Sequence, residues 1–164
     1  MNVSEGDQVT IVTDDESKNI GQSLRKAALE VTPHVRFFNL GIYGERPLTK
    51  LPKRIKESAE NSDVTFWTAR SYEGELPGVR RPFIKAALKQ GRHAHMVDVN
   101  EDIMENSMAA DYNEILDFTE KLYEVLKGSS KIEVTSPKGT DFTATFDSMR
   151  KWVSDTGVCH QNGK

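Results

Sequence analysis

Residues 8–31, QVTIVTDDESKNIGQSLRKAALEV, decide the fold. The first six are β-branched or apolar at nearly every position, which suits a strand covered on both faces. Asp14-Asp15-Glu16-Ser17 then supplies caps and favourable negative charge for a helix start. Ile20, Leu24, Ala27, Ala28 and Val31 recur at helical spacing, giving that helix an apolar stripe. A strand running directly into an amphipathic helix is the building unit of a parallel sheet.

Working outward, the same grammar repeats. Residues 34–40 (HVRFFNL) read as a second strand, and Pro52 opens a short helix carrying Leu51, Ile55 and Ala59. Residues 64–69 (VTFWTA) form a third strand, followed by a loop with Gly74, Pro77 and Gly78. Pro82 begins a third helix with Phe83, Ala86 and Ala87 inward and Gly91 as its stop. Residues 93–99 (HAHMVDV) read as a fourth strand, and the longest helix follows at about 109–127. Its stripe is Tyr112, Ile115, Thr119, Leu122 and Leu126. The expectation for residues 1–127 is a doubly wound α/β domain, its mostly parallel sheet flanked by helices on both faces.

After a linker at 128–130 the pattern changes to period two. Residues 131–136 (KIEVTS) and 141–146 (DFTATF) flank Pro137-Lys138-Gly139-Thr140, the signature of an antiparallel hairpin. Its apolar positions, including Ile132, Val134, Phe142, Phe146, Trp152 and Val153, call for a second layer that the polar stretch to Lys164 does not supply. Residues 131–164 are therefore expected to be the incomplete start of a second, β-rich domain.

Composition bounds the function. The 164 residues carry 22 Lys plus Arg against 25 Asp plus Glu, a net charge of −3 that exerts no general pull on nucleic acid. No apolar run approaches the ~20 residues needed to span a bilayer. The start, Met-Asn-Val-Ser-Glu-Gly-Asp, lacks the regions of a signal peptide. One cysteine, Cys159, allows neither an internal disulfide nor a multi-cysteine zinc site. The expected location is the cytoplasm.

Several constellations could carry chemistry. His93 and His95 share a strand face and could ligate one metal, with Asp98 on the opposite face of a regular strand. Asp14 and Asp15 resemble the acidic pair of phosphoswitch receivers, but the third strand ends in Thr68-Ala69-Arg70 without an acceptor aspartate, and capping explains both carboxylates. Asp155, Cys159 and His160 are the residue types of a thiol hydrolase, yet adjacent Cys159 and His160 are poorly placed to face each other. Basic residues at 50–56 and 80–92, Arg80 and Arg92 among them, read as solvated helix faces. No metal or catalytic residue is assigned. The remaining candidate is a cleft at the strand carboxyl ends with Asp14, Asp15, Arg70 and Ser71, suited to a small anion or metabolite.

The stretch Pro137-Lys138-Gly139-Thr140-Asp141-Phe142-Thr143, then Trp152-Val153-Ser154-Asp155-Thr156-Gly157, resembles the junction motif of the aminopeptidase T-like metallopeptidases. There a Gly-Thr-Asp-Leu-Thr hairpin follows an α/β domain and precedes an Asp-x-Gly turn. Asn100-Glu101-Asp102-Ile103-Met104 and Ala110-Asp111-Tyr112 resemble the stretch before that family's long helix. The resemblance implies a metal-dependent enzyme releasing N-terminal amino acids from peptides, with a divalent pair (zinc, cobalt or magnesium) held in a C-terminal domain. It also implies that the first metal ligand lies in an Asn-x-Pro-x-Gly-Glu segment just past Gln161-Asn162-Gly163-Lys164, so no family ligand falls on this chain and the chain alone is expected to be inactive. A homodimer and, in the intact enzyme, a peptide substrate are the expected partners; neither nucleic acid nor membrane is. The alternatives are a free-standing α/β ligand-binding or interaction module, and a fragment of the related iron-dependent ring-cleaving dioxygenase.

Overall fold

Four strands pair in parallel in the order β2-β1-β3-β4: β1 (Val9–Thr13), β2 (Val35–Asn39), β3 (Val64–Trp67) and β4 (Arg92–His95). The structure is a computed structural model that describes residues 1–147 and 152–159. In register, Val9 stands beside Val35 on one side and Val64 on the other, and Val64 beside Arg92. All five β1 residues and all four β3 residues are buried, which is why both strands read as nearly continuous apolar and threonine runs.

Alternation along the strands sorts the core into two layers. Val9, Ile11, Val64 and Phe66 pack with Ile20 and Ala28 of α1 (Lys18–Leu29). Val12, Phe38 and Trp67 pack with Ile55 and Ala59 of α2 (Lys53–Glu60) and with Phe83, Ala86 and Ala87 of α3 (Arg81–Ala87). Helices thus cover both faces, as a doubly wound α/β fold requires. The Thr10 hydroxyl, inside the α2 layer, bonds Ser58 Oγ at 2.7 Å and Ser62 Oγ at 2.8 Å, pairing three buried hydroxyls among themselves. Trp67 and Phe83 meet as tilted rings 4.9 Å apart at the centre of this layer.

Local corrections have local causes. The stripe on α1 narrows: Ile20, Gly21 and Ala28 are buried, whereas Ala27 and Val31 face out. The segment expected as a loop around Pro77 and Gly78 is a helical turn, Leu76–Arg80, that runs into α3, because Pro77 and Pro82 both sit in first turns where no N–H is needed. β4 stops at His95 instead of Val99; the Met96 N–H still reaches Trp67 O at 2.8 Å, but Asp98 takes a left-handed φ of 59° and turns the chain. A further helical turn, Ile103–Ser107, was not anticipated.

The described residues group into two compact units, Met1–Ala109 together with Cys159, and Ala110–Val158. In the second, α4 (Tyr112–Leu126) starts at Asp111, whose carboxylate accepts the Asn113 and Glu114 N–H groups. β5 (Lys131–Thr135) and β6 (Asp141–Thr145) pair antiparallel, Lys131 opposite Thr145 and Val134 opposite Phe142. The turn between them closes through Gly139 N–H to Ser136 O at 3.0 Å, with Gly139 at φ +97°, a conformation that side chains resist. Phe146 and Trp152 meet edge-on, 5.1 Å between centroids.

Candidate functional site at the carboxyl ends of the strands

The sheet order reverses between β1 and β3, so the crevice above their carboxyl ends is where an open α/β sheet ordinarily receives a ligand. Three of the four expected residues come together there. Asp14 leaves the end of β1 and is buried. Its Oδ1 accepts the Ser17 N–H at 2.8 Å and its Oδ2 accepts the Arg70 N–H at 2.7 Å. Asp15 is exposed and does not cap α1; its Oδ1 accepts from Asn39 Nδ2 at 2.6 Å. Arg70 reaches out to lie 3.7 Å from both Glu16 Oε2 and Asp98 Oδ1. Ser71 takes part only through its backbone N–H, bonded to Asp98 Oδ1 at 2.9 Å.

Sequence reasoning missed the residue that organises this end of the sheet. Arg46, from the loop after β2, is 7% exposed and forms ion pairs with both Asp14 and Glu75. Its Nε donates to Glu75 Oε1 at 2.9 Å and its Nη2 to the Arg70 carbonyl at 2.8 Å. Glu75 is fully buried and also accepts the Leu48 N–H at 2.7 Å. Tyr72 lies over the guanidinium, 4.2 Å from carbon to ring centroid, and gives its hydroxyl proton to Glu16 Oε1 at 2.7 Å. Nothing local marks Arg46 or Glu75: one lies in a polar loop beside Pro47 and the other beside Gly74, and only the fold brings their charges together.

Electrostatics follow from this packing. Burial opposes the charge on Arg46, but hydrogen bonds and charge from Glu75 and Asp14 outweigh it and hold the guanidinium above its usual pKa. Burial likewise works against the Glu75 carboxylate, and bonds from Arg46 and the Leu48 N–H prevail and lower its pKa. Arg46 and Glu75 are therefore both charged across the physiological range. An open cleft of ≈ 640 Å³, bordered by Asp15, Glu16, Gly41, Ile42 and Glu45, lies over the network.

The histidine pair lies on the α3 side of the sheet. His93 is buried, its Nδ1 2.9 Å from Thr65 Oγ1 and its Nε2 3.2 Å from His95 Nδ1, with Phe83 edge-on at 5.5 Å. Desolvation, helped by the charge of His95, pushes the His93 pKa down to about 4. Desolvation and then Arg80 lower His95. Among the described residues no three His, Cys, Asp or Glu side chains converge on a point where a metal could sit. Cys159 is a free thiol, and His160 lies outside the described residues. Of the basic residues, Lys53, Lys56 and Lys89 pair with Glu57 and Glu60 on helix surfaces. Arg92 is a correction: it is buried and ties Asp7 at 2.6 Å and the Asn2 carbonyl at 3.0 Å, fastening the N-terminal segment to β4.

Fold and crevice together define a doubly wound α/β protein whose switch point is bridged from within by an arginine. No protein-family model matches the sequence, and no curated protein matches it. No helix among the described residues is long and apolar enough to cross a membrane.

Proposed function

We propose that this chain is the N-terminal α/β portion of a metal-dependent aminopeptidase of the aminopeptidase T-like kind. It is a scaffold in which the catalytic metals are held by residues other than those described. The observation that supports this reading is the form taken by the junction motif. Pro137–Thr143 makes the turn and second strand of an antiparallel hairpin, and Asp155 Oδ1 accepts the Gly157 N–H at 3.5 Å with Gly157 at φ +70°, an Asp-x-Gly turn. The crevice agrees with a supporting role. Both Asp14 oxygens and both Glu75 oxygens are already bonded within the protein, so this network pins the loops after β1, β2 and β3. No step of metal-assisted hydrolysis is assigned to any residue of this chain. As part of the same reading, the protein is cytoplasmic and homodimeric.

Two measurements test it. The coding sequence past the Lys164 codon, translated in all frames, is expected to carry an Asn-x-Pro-x-Gly-Glu segment followed by spaced glutamates and histidines. Downstream sequence without it sinks the family reading. Purified 1–164 supplied with zinc, cobalt or magnesium is expected to release no leucine from leucyl peptides; chelator-sensitive release would show that the catalytic centre is within the chain.

A further inference from the structure

The parallel sheet has an open edge at β2. This strand pairs with β1 on one side, and among the described residues no strand pairs with it on the other. The ladder fixes which backbone groups face outward. Val9 stands opposite Val35, and the Val9 N–H bonds the His34 carbonyl at 2.9 Å, so His34, Arg36 and Phe38 turn their backbone groups toward β1. Val35 and Phe37 turn theirs away, and neither N–H has a hydrogen-bond partner among the described residues.

Charge at this edge is one-sided. On the α1 face, Arg25 lies over the Phe37 ring, 5.6 Å from carbon to centroid. On the α2 face, Arg36 and Arg54 line a groove of ≈ 400 Å³ floored by Phe38 and Ser58. All three guanidinium groups belong to exposed residues, and none has a carboxylate partner among the described residues. The one carboxylate that lines the groove, Glu57, lies 3.5 Å from the Lys53 ammonium.

An open sheet edge takes an extended chain as an additional strand: the backbone ladder supplies attachment, and side chains at alternate positions supply choice. Charged residues on an edge also guard it against pairing with a copy of itself. Here an antiparallel second copy would set the same arginines against each other, which like charges oppose. The charge that fits is negative. Because guanidinium groups stand on both faces, an acidic side chain of an added strand meets one whichever face it points to. We propose that β2 is the docking edge for an extended acidic segment of a partner protein. The segment adds as a further strand beside Val35–Asn39, its Asp and Glu side chains on Arg36 and Arg54 at one face and on Arg25 at the other. The assignment goes beyond the peptidase reading and does not rest on it.

The test is a titration of the ¹⁵N-labelled full chain followed by NMR, with the peptide Thr-Glu-Val-Glu-Val-Glu-Thr as the probe. The Val35 and Phe37 amides are expected to shift saturably and to exchange with solvent more slowly, as their N–H groups gain acceptors. The same peptide with Gln or Lys in place of Glu should bind at least about tenfold more weakly, the loss expected for two or three opposite-charge pairs across strands. A fully N-methylated version, which keeps the carboxylates but cannot donate to a ladder, should not protect those amides. Arg36→Gln with Arg54→Gln, at exposed side chains, should keep the rest of the spectrum and weaken the Glu peptide about tenfold. Absence of saturable shifts, the Lys peptide binding as tightly as the Glu peptide, full protection by the N-methylated peptide, or an unchanged affinity in the double variant each overturns the proposal. Protection of Val35 and Phe37 that rises with protein concentration in the absence of peptide overturns it too, and assigns the edge to a second copy.

Discussion

Arg46 is held by two carboxylates, one carbonyl and one ring, and each of those partners depends on it. Arg46→Met would preserve much of the side-chain volume but leave Asp14 and the fully buried Glu75 as unpaired acids. Removing one partner from a buried charge network typically costs about 3–5 kcal/mol, and a loss of that size is expected in urea denaturation at pH 7. A loss below about 1 kcal/mol, the range of exposed pairs, would show that the network is solvated. His93 makes a second prediction. Its folded pKa of about 4 lies below its ordinary 6.5, so at pH values between the two the unfolded chain takes up a proton that the folded chain refuses. Stability is therefore complete above pH 6.5, falls as pH drops toward 4, and loses roughly 3 kcal/mol over that window. His93→Leu, which leaves Thr65 Oγ1 its contact with the Arg92 carbonyl, should flatten that part of the stability–pH curve. An unchanged slope would place the acid sensitivity elsewhere.

At the scale of elements, the join between α3 and β4 is tightly constrained. Gly91, expected as the stop of the helix, does follow its end, and it also lets the chain pass against the residues just before β3. A Cβ there would sit 2.5 Å from the Ser62 carbonyl oxygen and 2.9 Å from that of Asp63, both backbone atoms that cannot yield cheaply. Gly91→Ala should destabilise by about 1–3 kcal/mol, the usual range for overpacking, read from the thermal midpoint together with an intact far-UV spectrum. A neutral effect would mean that β4 can shift outward, as an edge strand. The strands and helices themselves were readable because their signals are local. Period-two and period-3.6 patterns, proline in first turns and Asp111 at a cap act over a few residues. The helical turns at 76–80 and 103–107 were not readable, since each is five residues closed by one wide turn, Arg81 N–H to Leu76 O and Met108 N–H to Ile103 O, too short for a period-3.6 pattern to register.

At the scale of the molecule, the two compact units differ in how they are stabilised. The α/β unit has two buried clusters around its sheet, whereas α4 has no buried residue and Phe142 of the hairpin is half exposed. That contrast is what the proposed aminopeptidase reading expects of the second unit. The inactivity expected of 1–164 and the downstream coding sequence test that idea directly.

By itself the sequence determined the α/β class, the succession of strand and helix, the hairpin at 131–145 and the place of Asp14 at a strand end, because each follows from short-range patterning. The tertiary structure alone decided that Asp14 answers to Arg46 and Glu75, residues 32 and 29 positions apart from their partners in that network. It also decided that Arg92 is buried, tied to Asp7 and the Asn2 carbonyl. Burial and charge pairing depend on which loops the sheet brings to one end, and strand order, not local composition, sets that.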